Sequence, residues 1–326
     1  MTALMTVFWK ELADNFSSWR FIILFILVLL AGVSAIYVAA ENIRGAVTEI
    51  SKSPFAVTET IRFVFLKLYT TSGEALPSFL TFIVFFVPIV GIALGFDAIN
   101  SEKNSGTLSR LLSQPIFRDA VINAKFLAGV VTLSIMLVSI VLLVAGVGLR
   151  MIGVPPTAEE VLRLMAFLAV GIVYGAFWLG LAMLFSIFFQ RVATSALASI
   201  SVWIFFIFFM VMIASLIANM VAPVDDQSTR QELFRNAEIS LIALRVSPIM
   251  LFSEATSVLL VPAARTMGQL LQMEISEATA RMLPNPLPLG QSLLMVMPHL
   301  VTLVALTVVC FAISYIKFMR EEIRST

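Results

Sequence analysis

Charge is scarce in this sequence. Of 326 residues only 13% are Asp, Glu, Lys or Arg, whereas 60% are hydrophobic. A soluble domain carries about 25% charged residues, so the chain reads as an integral membrane protein with little room for a soluble domain. The two signs nearly cancel, leaving a net charge of +1, which gives no electrostatic footprint for nucleic acid. Cysteine is reduced to Cys310, inside an apolar run. One thiol can neither close an intrachain disulfide nor build a zinc site unaided. Histidine is also single, His299, which excludes a multi-histidine metal site and the His-Glu-x-x-His pair of a zinc protease. Neither a Gly-x-Ser-x-Gly nucleophile elbow nor a phosphate-cradling Gly-x-x-x-x-Gly-Lys-Ser/Thr loop occurs. No catalytic residue, metal or bound cofactor is therefore expected on this chain. If ATP drives it, the nucleotide site lies on another polypeptide.

What is present is apolar length. Six runs, near residues 21–40, 76–96, 126–149, 164–189, 192–221 and 293–318, each match the roughly 20 helical residues that cross a bilayer core. Lipid cannot satisfy free backbone groups, so these are predicted as helices and the fold as all-α. The first run exceeds a secretory h-region of about 7–15 residues and is read as a retained span. An even number of spans puts both termini on one side. With the termini inside, ten basic residues fall on short inner segments and eleven on the much longer outer ones. Basic density thus favours cytoplasmic termini, since long loops translocate largely regardless of charge. The expected organisation is a single transmembrane domain over 1–326 in the cell membrane. It has a cytoplasmic entry helix (1–20), an outer loop (41–75), a cytoplasmic loop (97–125) and an outer helical segment (222–291).

The span interiors hold no Asp, Glu, Lys or Arg, which weighs against a proton- or sodium-driven carrier. His299, near the outer end of the last span, reads as a packing or interfacial residue. Gly171 and Gly175 form a small-xxx-small pair that lets helices approach. Aromatic residues cluster in the second span (Phe82, Phe85, Phe86) and the fifth (Trp203, Phe205, Phe206, Phe209). Two readings stand for them: lipid-facing bulk, or an aromatic wall along a path for an apolar or amphipathic substrate. In the first outer loop Ile61, Phe65 and Leu68 repeat at helical spacing, which predicts a helix over 57–69 lying on the membrane surface. The segment 222–291 predicts three helices, near 227–245, 250–260 and 264–282, packed against the membrane or a partner.

The most polar stretch of the first half is SEKNSGTLSRLLSQPIFRDAVINAK, from Ser101 to Lys125. Leu108, Leu111 and Leu112 fall at i, i+3 and i+4 and stripe one face of a short helix. Asn104 or Ser105 can cap its start, Pro115 stops it, and Lys125 is placed to snorkel from the interface. An interfacial loop and a docking helix whose leucine ridge enters a partner's groove explain the pattern equally well.

Glu102, then Gly106-Thr107-Leu108, Leu111-Leu112, Pro115, Arg118 and Lys125 resemble the segment between the second and third spans of ABC transporter permeases of the ABC-2 type. WKELADNFSSWRF, from Trp9 to Phe21, resembles that family's entry into its first span. The layout of the whole chain is similar too, and compact relatives of similar build include the copper-processing permease of nitrous oxide reductase maturation. The resemblance implies a type-V exporter-like fold. Two permease copies would pair with two ABC ATPase subunits that carry ATP and Mg. A coupling helix at about 105–113 would seat on the ATPase, involving Glu102, Gly106, Thr107, Leu108, Leu111, Leu112, Pro115 and Arg118. The second and fifth spans would line the path at the dimer interface. The long outer loops exceed those of compact members and leave room for an extracytoplasmic partner. Two other functions fit the same sequence: a non-transporting membrane scaffold or assembly factor, and a lipid scramblase.

Overall fold

The computed structural model describes residues 3–50, 63–73, 76–113, 116–225, 228–262 and 287–320. Every regular element among them is helical, and six helices are long and apolar enough to cross a membrane, as the apolar runs require. The chain divides into two compact units: residues 1–200 with 304–326, and residues 201–303.

The first unit begins with α1 (Ala3–Ser17), followed by α2 (Trp19–Ile50), α3 (Val64–Thr70) and α4 (Phe79–Gly95). Two short helices come next, α5 (Asn100–Asn104) and α6 (Thr107–Leu112), then α7 (Arg118–Ile152) and α8 (Ala158–Phe188). α1 is the expected entry helix. It buries Val7 and Phe8 against Ala124 and Ala128 of α7 and leaves Trp9 exposed. The chain bends at Ser18, whose hydroxyl accepts the Phe21 N–H at 3.2 Å.

The tightest packing joins α4 to α8, and glycine makes it so. A Cβ on Gly91 would stand 2.8 Å from the Gly175 carbonyl oxygen, and one on Gly95 2.7 Å from that of Leu179. Gly91 and Gly95 therefore form the small-xxx-small pair on α4, opposite Gly175. Pro88 interrupts the α4 hydrogen-bond ladder and frees the carbonyl of Val84 four residues earlier. The Tyr174 hydroxyl of α8 donates to that oxygen at 3.1 Å. The proline and the tyrosine thus form one complementary pair, because a buried carbonyl needs a partner.

The first outer loop departs from its expected place. Its helix is α3, a short element with Val64, Phe65, Leu66, Leu68 and Tyr69 buried rather than spread on the membrane surface. Glu160 of α8 explains the capture. Its Oε2 accepts from Thr157 N–H at 2.8 Å within a capping box, while its Oε1 takes the Phe65 N–H at 3.1 Å. One carboxylate thus caps two helices, and the Phe65 and Leu68 periodicity marks a core face. Ile61 lies outside the described residues.

The second unit opens within the fifth span. That span joins α9 (Val192–Ile204), a π-helical turn (Phe205–Phe209) and α10 (Met210–Val221). After it come α11 (Arg230–Leu244) and α12 (Pro248–Leu260), which meet at 114°. They answer two of the three helices expected in 222–291; the third lies outside the described residues. Thr229 and Glu232 form the α11 capping box, and Pro248 sits at the first position of α12, where its missing N–H is harmless. Asn236 of α11 donates to Asn219 Oδ1 at 2.8 Å and to the Ala222 carbonyl at 2.7 Å, which fixes α11 to the end of α10. The last helix is α13 (Leu289–Arg320).

Phe318 of α13 packs with Ile99, Leu108 and Val121, at the same end of the first unit as Phe8 and Ala124. Counted as one span, the bent pair α11–α12 would bring the number of spans to seven by length and composition.

Candidate functional site

The segment from α5 to α6 is built into its surroundings on every flank. At the α4–α5 break, Ser186 Oγ of α8 accepts both the Ile99 and the Asn100 N–H, at 3.0 and 3.1 Å. These are N–H groups that a helix start leaves without an internal partner. Asn100 and Asn104 donate through Nδ2 to the carbonyls of Phe189 and Gln190 at 3.4 and 3.0 Å. Asn104 is thus a strap to the end of the fourth span rather than a cap for α6. Gly106 takes φ +70° between α5 and α6, the left-handed region that favours glycine. Ser105 and Thr107 share a hydroxyl hydrogen bond at 2.9 Å across it.

Lys125 holds the centre. Its side chain is only 4% exposed, and its Nζ lies 2.9 Å from both Glu11 Oε2 and Glu102 Oε1. The expected snorkelling lysine is instead a buried clasp that ties α1, α7 and the α5 segment together. Its two acidic partners explain the difference, since a buried ammonium persists where carboxylates pair with it. Burial pushes the Glu11 carboxyl up, but Lys125 and Lys10 outweigh it and hold the group below its usual range. Glu102, singled out from the sequence, is brought into this cluster. Glu11 and Lys125 complete it, and their signal was present in the sequence only as charges at an interface.

The leucine stripe points the other way from its expected face. Leu108 is 1% exposed and packs with Val121, Ile122, Met183 and Ile187, with Leu111 against the same cluster. Leu108 is therefore the root of α6 in its own protein, with Leu111 partly buried beside it, and not part of an exposed ridge. Gly106 lies in the turn before it, and Thr107 and Ser113 are exposed on the helix ends. Arg118 opens α7, the backbone of Leu112 ends α6, and Pro115 lies outside the described residues.

In α4, Phe82 and Phe86 stack at 6.0 Å while Phe85 meets Phe86 edge-on at 5.4 Å. In the fifth span, Phe205 stacks on Phe209 at 6.2 Å and meets Phe206 edge-on at 5.6 Å; Trp203 is buried. The fifth span's aromatic residues coincide with its π turn, in which the Met210 N–H reaches back five residues to the Phe205 carbonyl. Such turns are uncommon and concentrate at functional sites. Hydropathy carries no signal for one, so the sequence reading missed it. Phe205, Phe208 and Phe209 stand exposed from it.

The second unit holds a separate charged cluster. Glu254 of α12 is buried and takes two hydrogen bonds from Arg245, from Nε at 2.8 Å and Nη2 at 2.6 Å. His299 Nε2 of α13 lies 3.0 Å from its Oε2. Burial pushes the Glu254 carboxyl up, but the hydrogen bonds from Arg245 and His299 win and bring it down to about 2. His299 is thus a helix-packing residue, as its position suggested, with an acidic partner that no sequence spacing revealed.

No curated relative matches the chain significantly. The pattern described as "ABC-2 family transporter protein" matches residues 5–323, nearly the whole length, and covers all six spans and the clasped segment. The chain belongs to the ABC-2 family of transporter membrane proteins, as a multi-pass permease subunit, and that family implies an ATPase partner.

Proposed function

We propose that this permease is an exporter, driven by ATPase subunits that dock on the end of the molecule carrying α1, α5 and α6. Two copies of the chain assemble with two ATPases, which supply the ATP and Mg sites. Both termini face the cytoplasm in the cell membrane, and the substrate is apolar or amphipathic. The observation that carries this reading is the Lys125 clasp. A segment hydrogen-bonded to the fourth span, ion-paired to the entry helix and rooted by Leu108 in the core moves only with the spans. A force applied there by a partner is transmitted as a rigid-body displacement.

With Leu108 buried and Leu111 partly so, the proposed ATPase contact is the outward turn of α6, around Gly106 and Thr107, with Ser113 at its far end. Phe82, Phe85, Phe86, Trp203, Phe205, Phe206 and Phe209 are the proposed lining of the path. Uncharged spans agree with this division of labour, since the membrane subunit of an ATP-driven cycle needs no proton relay.

Co-purification of the ATPase with the Thr107→Trp variant tests the docking face. We expect the variant to insert and to lose the ATPase. Retention of the ATPase at the wild-type level removes α6 from the contact. Lipid scrambling by the purified chain without ATP or ATPase would favour the scramblase function instead.

A further inference from the structure

A cavity of about 360 Å³ lies in the first unit where α1 turns into α2, beside the end of α4. Its position fixes its environment. Arg20 is the second residue of the first span and Asp97 follows the last turn of α4, so the cavity sits at headgroup level. Trp19, on its rim, is 77% exposed, as befits an interfacial tryptophan.

The walls of this cavity divide by chemistry. Phe21, Leu24, Val90 and Leu94 form an apolar side along the spans, while Asp14, Arg20 and Asp97 form a charged mouth. Arg20 donates through Nη1 to Asp97 Oδ2 and lies over the Phe96 ring at 5.3 Å. Among the described residues, the other N–H groups of Arg20 and the Oδ1 of Asp97 take no hydrogen-bond partner. Among the described residues, Asp14 is held only by Lys10, at 3.3 Å. The mouth thus offers unused cationic donors and unused anionic acceptors at once, above an apolar channel.

We infer that this cavity binds a zwitterionic phospholipid with a primary amine, of the phosphatidylethanolamine class, from the leaflet on the α6 side. The lipid phosphate takes the free N–H groups of Arg20, a geometry guanidinium favours. The ammonium donates to Asp97 Oδ1 and Asp14, and the acyl chain runs down past Leu24 and Leu94. A phosphatidylglycerol headgroup brings the phosphate but no cation, and meets two carboxylates. A choline headgroup has no N–H to donate. The bound lipid bridges α1 to the first two spans, beside the clasp that holds α1 to α7.

The test uses the full chain reconstituted in nanodiscs of equal parts phosphatidylethanolamine and phosphatidylglycerol, extracted into mild detergent, with retained lipid counted by native mass spectrometry. The wild type is expected to keep phosphatidylethanolamine in preference to phosphatidylglycerol. Arg20→Ala should lower that retention about tenfold, the loss expected for charge-assisted hydrogen bonds. Leu24→Trp, which fills the channel and leaves the ion pair intact, should lower it comparably and covers the case in which Arg20→Ala does not fold. Excess soluble phosphoethanolamine should not displace the lipid. Equal retention of the two lipids by the wild type, or unchanged retention in a folded variant, overturns the assignment. Displacement by the soluble headgroup overturns the lipid as the ligand.

Discussion

Glu254 shows how one buried carboxylate can decide the acid stability of a region. Its two-pronged contact with Arg245 and its bond with His299 stabilise the ionised form, and the carboxyl is brought down to about 2 from its ordinary 4.5. A depressed carboxyl contributes stability that is fully present above its unfolded pKa and is lost as pH falls through its folded one. The window therefore runs from about 4.5 down to about 2. Thermal unfolding of the detergent-solubilised protein across this range should show a falling midpoint for the wild type. Glu254→Gln should start lower and lose less on acidification. An identical acid limb in both would mean the cluster contributes nothing.

At the scale of elements, α6 was legible as a helix and illegible as a surface. The Leu108, Leu111 and Leu112 spacing announces an amphipathic helix, but periodicity states only that one face is apolar, not what covers it. The core took Leu108 and part of Leu111 because Val121 and Met183 lie within reach. The same limit applies to α3, whose Phe65 and Leu68 suit a membrane surface and a core equally. The six spans were readable because lipid leaves the backbone no alternative to the helix. By contrast, the Lys125 clasp joins residues far apart in the chain. The close approach of Gly91 and Gly95 on α4 to Gly175 and Leu179 on α8 depends on which faces meet, and no single sequence carries that. Leu108→Asp separates the two readings of the stripe. Placing a carboxylate at a position 1% exposed costs several kcal/mol. The variant should lose its monodisperse folded peak in size-exclusion chromatography, and its ATPase only as a consequence. A folded Leu108→Asp chain that has shed only the ATPase would restore the stripe to the docking surface.

For the molecule as a whole, the open question is what the fifth span faces. Exposed apolar residues are ordinary on a helix in lipid, so Phe205, Phe208 and Phe209 alone argue nothing. The π turn changes that. A turn with one residue too many rotates everything after it relative to everything before, and it weakens the local hydrogen bonds without any return from lipid, which has no shape to match. A protein surface does have such a shape, so the turn is accounted for if a second copy of the chain packs there. Cys310 is the single cysteine, which makes the idea accessible to crosslinking. In a Cys310→Ser background, Phe208→Cys should form an intermolecular disulfide under mild oxidation in native membranes, since symmetric copies bring the same position together. Disulfide geometry requires the two Cα atoms within about 7 Å, so random collision in the bilayer is a weak competitor. Leu142→Cys, on α7 and similarly exposed, serves as the control. A crosslink at Phe208 alone supports a two-copy transporter that meets along the fifth span. Crosslinking at neither position, or equally at both, leaves the π turn facing lipid and removes the strongest argument for a path between copies.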